Sequence, residues 1–173
     1  MSLEKRELEK QGYTEQAEML EDGQVTDEEF REAFDLMAEC LVAADVEILG
    51  PWVNPVDGVR LDFSAVFDDG VDHETARETV QSCWLPYWDS VSAWYVDTHP
   101  HVMDPPLREL VAECLEEKGY VLTGDEMSVE DFAGPDRRKD PVGRPSATKS
   151  CVTDVINETD LYGDQAITIA YDF

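Results

Sequence analysis

The chain has 173 residues, 42% of them hydrophobic and four of them Trp, enough for one domain or two small fused units but too short for a second large domain. Against 13 Lys and Arg stand 40 Asp and Glu, a formal net charge of -27 spread along the chain, which disfavours direct nucleic-acid and anionic-membrane binding and favours basic partners or cations. No apolar run approaches the roughly 20 residues of a membrane-spanning helix.

Residues 1–25 read as an N-terminal helix and turn segment. The opening MSLEKRELEKQ is polar and mixed in charge and carries neither a secretory nor a lipoprotein signal, so a native start would mean a cytoplasmic protein. LEDGQVTDEEF, residues 20–30, resembles the back half of a calcium loop, with Gly23 at the turn and Glu29 in the closing position. Leu20 would then stand where an oxygen ligand is needed. An Asp22-Gly23 turn followed by a Thr26 cap and a T-x-x-E capping box with Glu29 accounts for every residue, and is the expectation.

A first unit is expected over 26–96. Phe30, Phe34, Met37, Leu41 and Ala44 recur at helical spacing, VEIL follows as a strand, and GPWVNPVDG is a loop. VRLDFSAVF, residues 59–67, alternates as a half-buried strand with Val59, Leu61, Phe63, Ala65 and Phe67 on the apolar face. A second helix is expected over 72–96, broken near Leu85 by Pro86. Its core stripe takes in Trp84, Tyr87, Trp94 and Tyr95. Trp88 falls off that stripe and Trp52 sits in a proline-rich loop, so these two are the weak candidates for a ligand or partner surface.

A linker over 97–105 leads to a second unit over 106–173. PPLRELVAECLEEKG begins with first-turn prolines and stops at Gly119, as helices do. YVLT reads as a short strand, about 124–145 as a long polar loop with a helical turn at SVEDF, SATKSCVTDVI as a helix capped by Ser146, and QAITIAYDF as a closing strand. LMAECLVAADVEIL and LVAECLEEKGYVLT align through A-E-C-L and then pass from helix to strand. The expected fold is therefore α+β, with two similar helix-strand-helix units packed as one domain.

Cys40, Cys83, Cys114 and Cys151 all lie on apolar helix faces, without the C-x-x-C or Cys-His grouping of a zinc site. Of the three possible pairings the repeat selects Cys40 with Cys83 and Cys114 with Cys151, each closing a loop worth about 4 kcal/mol. Four buried thiols acting as small apolar fillers are the alternative. Disulfides imply an exported chain.

The run from Asp22 to Phe30, with Cys40-Leu41, Cys83-Trp84, Val102 to Leu107 and Cys114-Leu115, resembles a group of uncharacterised actinobacterial cell-envelope proteins, many of them lipoprotein-like. The resemblance runs from residue 13 to about residue 155 and implies an extracytoplasmic, cysteine-paired domain. It implies no activity. The missing signal and lipobox depart from that group.

No catalytic constellation emerges, and an enzyme is not expected. GRPSATKS, residues 143–150, misses a P-loop by one glycine and lacks the buried strand before it. His99 and His101, beside Asp97 and Asp104, are weak metal candidates in a linker. No cofactor is expected. Two functions follow: a non-catalytic binding or interaction domain of the bacterial cell envelope, with a protein or small ligand as partner, or an intracellular acidic decoy that mimics nucleic acid and occupies a basic DNA-binding or defence protein.

Overall fold

Thr26 opens the first long helix through the expected capping box. Its hydroxyl accepts from the Glu29 N–H at 3.2 Å and the Glu29 carboxylate accepts from the Thr26 N–H at 2.8 Å, so two otherwise orphaned donors are satisfied together. Just before it, Gly23 takes a left-handed φ of 75° and the Asp22 carboxylate accepts from Gln24 N–H, which makes LEDGQ a turn. A computed structural model describes residues 3–135 and 143–169 of the chain. In order, the elements are α1 (Leu3–Gln11), α2 (Thr14–Met19), α3 (Asp27–Ala43), β1 (Glu47–Val53), β2 (Leu61–Val66), α4 (His73–Tyr87), α5 (Asp89–Thr98), α6 (Pro105–Glu117), α7 (Val129–Ala133) and α8 (Arg144–Glu158). The fold is α+β, with β1 and β2 paired as a two-stranded antiparallel sheet. Among the described residues no helix is long and apolar enough to cross a membrane.

The chain divides into two compact units, residues 1–50 with 63–99, and residues 51–62 with 100–173. The tip of the β1–β2 hairpin therefore belongs with the second unit rather than with residues 26–96. Cys40–Cys83 joins α3 to α4 in the first unit and Cys114–Cys151 joins α6 to α8 in the second, spanning 43 and 37 residues. The recurrence stops there. β1 follows α3, but the YVLT segment after α6 forms no strand. Val121 is 87% exposed, and the Thr123 and Gly124 N–H groups are taken by the Glu126 carboxylate at 2.9 Å each.

In the first unit, Phe30, Phe34, Met37 and Leu41 of α3 are buried, as are Trp88 and Val91, while Ala44 closes the helix on the surface. Trp88 is 1% exposed and meets Phe30 at 4.8 Å and Phe34 edge-on at 5.5 Å between ring centroids. This corrects its placement as a surface candidate. A continuous helix over 72–96 would turn Trp88 away from the stripe, but α4 ends at Tyr87 and Trp88 stands between the two helices with φ -119° and ψ -40°, which resets the phase. Pro86 lies inside α4, and the break expected near Leu85 falls after Tyr87.

The polar groups freed at that break go to one buried side chain. Gln16 of α2 is fully buried. Its amide donates to the Leu85 carbonyl at 2.6 Å, and its oxygen accepts from Ser90 and Val91 N–H at 2.7 and 3.2 Å. One glutamine thus supplies the partners that an unbroken helix would have supplied.

The second unit packs Leu107, Val111 and Leu115 of α6 with Val152 and Val155 of α8, closed by Phe132, Val56 and Met103. α8 begins at Arg144 with Pro145 in its first turn and has no side-chain cap, so Ser146 is inside the helix and not its cap. A proline there loses no hydrogen bond, because first-turn N–H groups have no helical acceptor. Thr148, the residue that spoils the P-loop pattern, is buried and donates to the Arg144 carbonyl. SVEDF forms α7, and Arg144 reaches back to it, donating to Phe132 O at 2.5 Å and to Glu126 at 3.3 Å. Residues 165–169 form no strand, and the rest of that expected strand lies outside the described residues.

Two measurements check this packing. Gln16→Leu leaves three backbone groups without their side-chain partner, one of them buried, and should cost about 2–3 kcal/mol in denaturant unfolding, with α4 and α5 amides losing protection first. Burial alone would raise the Glu126 carboxyl, but the backbone N–H groups it accepts from hold it below its ordinary 4.5. A depressed carboxyl contributes stability above its unfolded value and loses it as pH falls through the folded one. The stability advantage of wild type over Glu126→Gln should therefore be full at neutral pH and shrink only below pH 4.5.

Candidate functional site

Asn54, Pro55 and Gly58 make NPVDG a turn by composition, and side-chain hydrogen bonds fix its shape. Asn54 is buried. Its Oδ1 accepts from Val56 N–H at 2.8 Å, and its Nδ2 donates to Asp62 at 2.7 Å and to the Thr168 carbonyl at 2.6 Å. Asp62 in turn accepts from Thr168 N–H at 3.0 Å. The pair binds both backbone groups of Thr168 as a neighbouring strand would, which is how residues 165–169 are held without a ladder.

The loop is closed a second time by Asp57, whose carboxylate accepts from Val59 and Arg60 N–H and pairs with the Arg60 guanidinium at 3.1 Å. Asp62 is buried while Leu61 and Phe63 are half-buried. The sequence alternation placed Asp62 on the solvent face of this strand. The structure reverses that, because the carboxylate finds donors there, Asn54 Nδ2 and Thr168 N–H, both on Oδ2.

Against this loop lies the segment before α6. Val102 N–H donates to Asp57 O and Asp104 N–H to Pro55 O, both at 2.8 Å. Gly58 has φ 69°, and a Cβ there would collide with the Val102 carbonyl, so only glycine permits both the left-handed turn and the approach. The two segments, with Tyr162 and Gln165, line an open cleft of about 540 Å³. That is within the size range of small-molecule sites. Its walls are largely apolar, from Pro51, Trp52, Val53, Pro55, Val102 and Met103.

Asp104 contributes the carboxylate of the cleft. It occupies the N-cap position of α6 but makes no cap bond, and the two residues after it are prolines without N–H groups. It accepts instead from the Tyr162 hydroxyl at 2.9 Å. Burial, and then this bond to Asp104, push the Tyr162 hydroxyl far above its ordinary value of 10, so it remains a protonated donor at neutral pH.

The other sequence candidates lie elsewhere. Trp52, expected in a loop, lies instead at the end of β1, half-buried on the cleft wall, whereas Trp88 is core. The four cysteines are paired. His99 is half-buried, with its Nδ1 2.8 Å from the Tyr95 carbonyl and its ring stacked on Tyr95 at 3.7 Å. Asp97 is exposed and His101 is half-buried. Among the described residues no group of three or more His, Cys, Asp or Glu is arranged to hold a metal ion.

Asn54, Asp62, Tyr162 and Gln165 carry no sequence motif. The turn composition of NPVDG is the one local signal that pointed to this loop. Comparison with protein-family models, with characterised proteins and with solved structures finds no match to this chain.

Gly58→Ala tests the cleft's construction. It combines a left-handed φ with a collision on backbone, and should cost about 2–4 kcal/mol. Gly70→Ala has a positive φ but open space around it and should cost about 1 kcal/mol. Equal losses in thermal or denaturant unfolding would show that the approach of Val102 to Gly58 is not a tight constraint.

Proposed function

We propose that this chain is a non-catalytic binding domain of the bacterial cell envelope, and that the cleft beside Trp52 is where it holds its ligand or partner. The observation that carries this reading is the cystine pairing. Two separate helix pairs are each closed by a disulfide, Cys40–Cys83 and Cys114–Cys151, and such bonds persist in oxidising compartments. The resemblance to actinobacterial envelope proteins supports the same compartment.

The chemistry of the cleft supports binding rather than turnover. The Asn54 amide is saturated by Val56, Asp62 and Thr168, and Tyr162 donates to Asp104. The open apolar surface with a half-buried tryptophan is the form of a recognition surface.

The net charge of -27 supports a second reading, an intracellular decoy for a basic protein. Thiol state separates the two. Protein taken from the cells that make it, alkylated at once and fractionated, should show no free thiols and travel with the envelope. Trp52→Ala, with both disulfides intact, should release it from that fraction. Four free thiols in a cytoplasmic protein would overturn the envelope reading and favour the decoy.

A further inference from the structure

Within that reading, the chemistry of the cleft narrows the ligand. We infer that the second unit's cleft is a site for a small organic ammonium ion of the quaternary alkylammonium class, seated on Asp104 between the apolar walls with Trp52 and Tyr162 as its aromatic contacts. The inference rests on the binding-domain reading and is tested separately from it.

Charge decides the first step. Among the described residues Asp104 is the only carboxylate lining the cleft, and no Lys, Arg or His lines it. In a chain of net charge -27 an anionic ligand would meet repulsion at long range and at contact. The start of α6 offers an anion little in return, because Pro105 and Pro106 have no N–H to donate.

Hydrogen-bonding capacity decides the second. A saccharide or other polyol needs several directed donors and acceptors, and the obvious one, Asn54, is buried with all its groups used inside the protein. Among the described residues Gln165 is the one side-chain amide left on the wall. A quaternary ammonium needs no hydrogen bonds. It needs a negative charge, apolar surface and aromatic faces, and those are what Asp104, Trp52, Tyr162 and the prolines provide.

Position decides the third. Asp104 would ordinarily be spent on capping its helix, but it makes no cap bond. Its Oδ2 accepts from Tyr162, and that bond orients the carboxylate beside the Tyr162 ring while leaving its charge in place. Among the described residues Tyr162 is the only side chain recorded as donating to it.

The test is calorimetric titration of the full disulfide-bonded chain with choline chloride, in parallel with 3,3-dimethylbutan-1-ol, its uncharged isostere, at about 0.15 M NaCl to screen diffuse attraction. One saturable site should appear, with choline binding at least about tenfold more tightly than the alcohol. Asp104→Asn keeps an acceptor for Tyr162, so the fold is retained, and it should remove that tenfold preference. Asp35→Asn, on the exposed face of α3 in the first unit, should leave it unchanged.

Equal binding of choline and alcohol, an unsaturable titration, or equal losses in the two variants would overturn the inference. Co-sedimentation with phosphatidylcholine vesicles would identify a lipid headgroup as the source of the ammonium. Saturable choline binding without co-sedimentation would identify a soluble cation. Either supports the site. If choline shows no preference while Trp52→Ala still releases the chain from the envelope, the ammonium inference falls and the binding-domain reading stands.

Discussion

Cys40–Cys83 and Cys114–Cys151 each tie one helix to another across about forty residues of chain, and the rest of each unit is arranged around that tie. Each unit has about half of a 173-residue chain from which to build a core, a size at which apolar burial alone leaves little net stability. Closing loops of this length removes about 4 kcal/mol of unfolded-chain freedom in the loop-entropy picture. With the helix pairs held, the remaining elements can depart from regular structure. The second unit holds residues 165–169 through Asn54 and Asp62 rather than through a strand ladder.

Both units solve the same problem of stranded backbone polar groups with a buried amide side chain. Gln16 bridges the break between α4 and α5. Asn54 holds its own loop and the Thr168 carbonyl. In each case the amide acts as donor and acceptor at once, which suits a place where a carbonyl and an N–H have both lost their regular partners. The cleft follows from the second of these. Because Asn54, Asp57 and Asp62 are spent on holding the loop, the wall they support is left largely apolar, with Asp104 as the one charge among the described residues.

How much of this could be read from residue order varies with the range of the interaction. The Thr26–Glu29 capping box, the prolines that open α6 and the glycine that ends it depend on neighbours within a few residues, and they are where the pattern put them. The alternation of VRLDFSAVF identified β2 but reversed the standing of Asp62, because period alone cannot show that Asn54 and Thr168 wait on that side. Trp88 was misplaced because a helical stripe assumes one continuous helix, and one irregular residue is enough to turn the following face. YVLT and the described part of QAITIAYDF, residues 165–169, have strand-like composition but form no strand, and a ladder needs a neighbour that composition does not supply.

Residue order by itself pointed to the α+β class, the principal helices and, through the recurrence of A-E-C-L, the cysteine pairing that joins them. These are consequences of short-range periodicity and of side chains confined to one face. Tertiary structure alone decided that the hairpin tip belongs with the second half of the chain, that Trp88 is core and Trp52 lines the cleft, and that Asp104 shares that cleft with Tyr162, 58 residues away. Contacts at that separation are selected by how whole elements pack and by where buried polar groups find partners, and neither leaves a local signature in the chain.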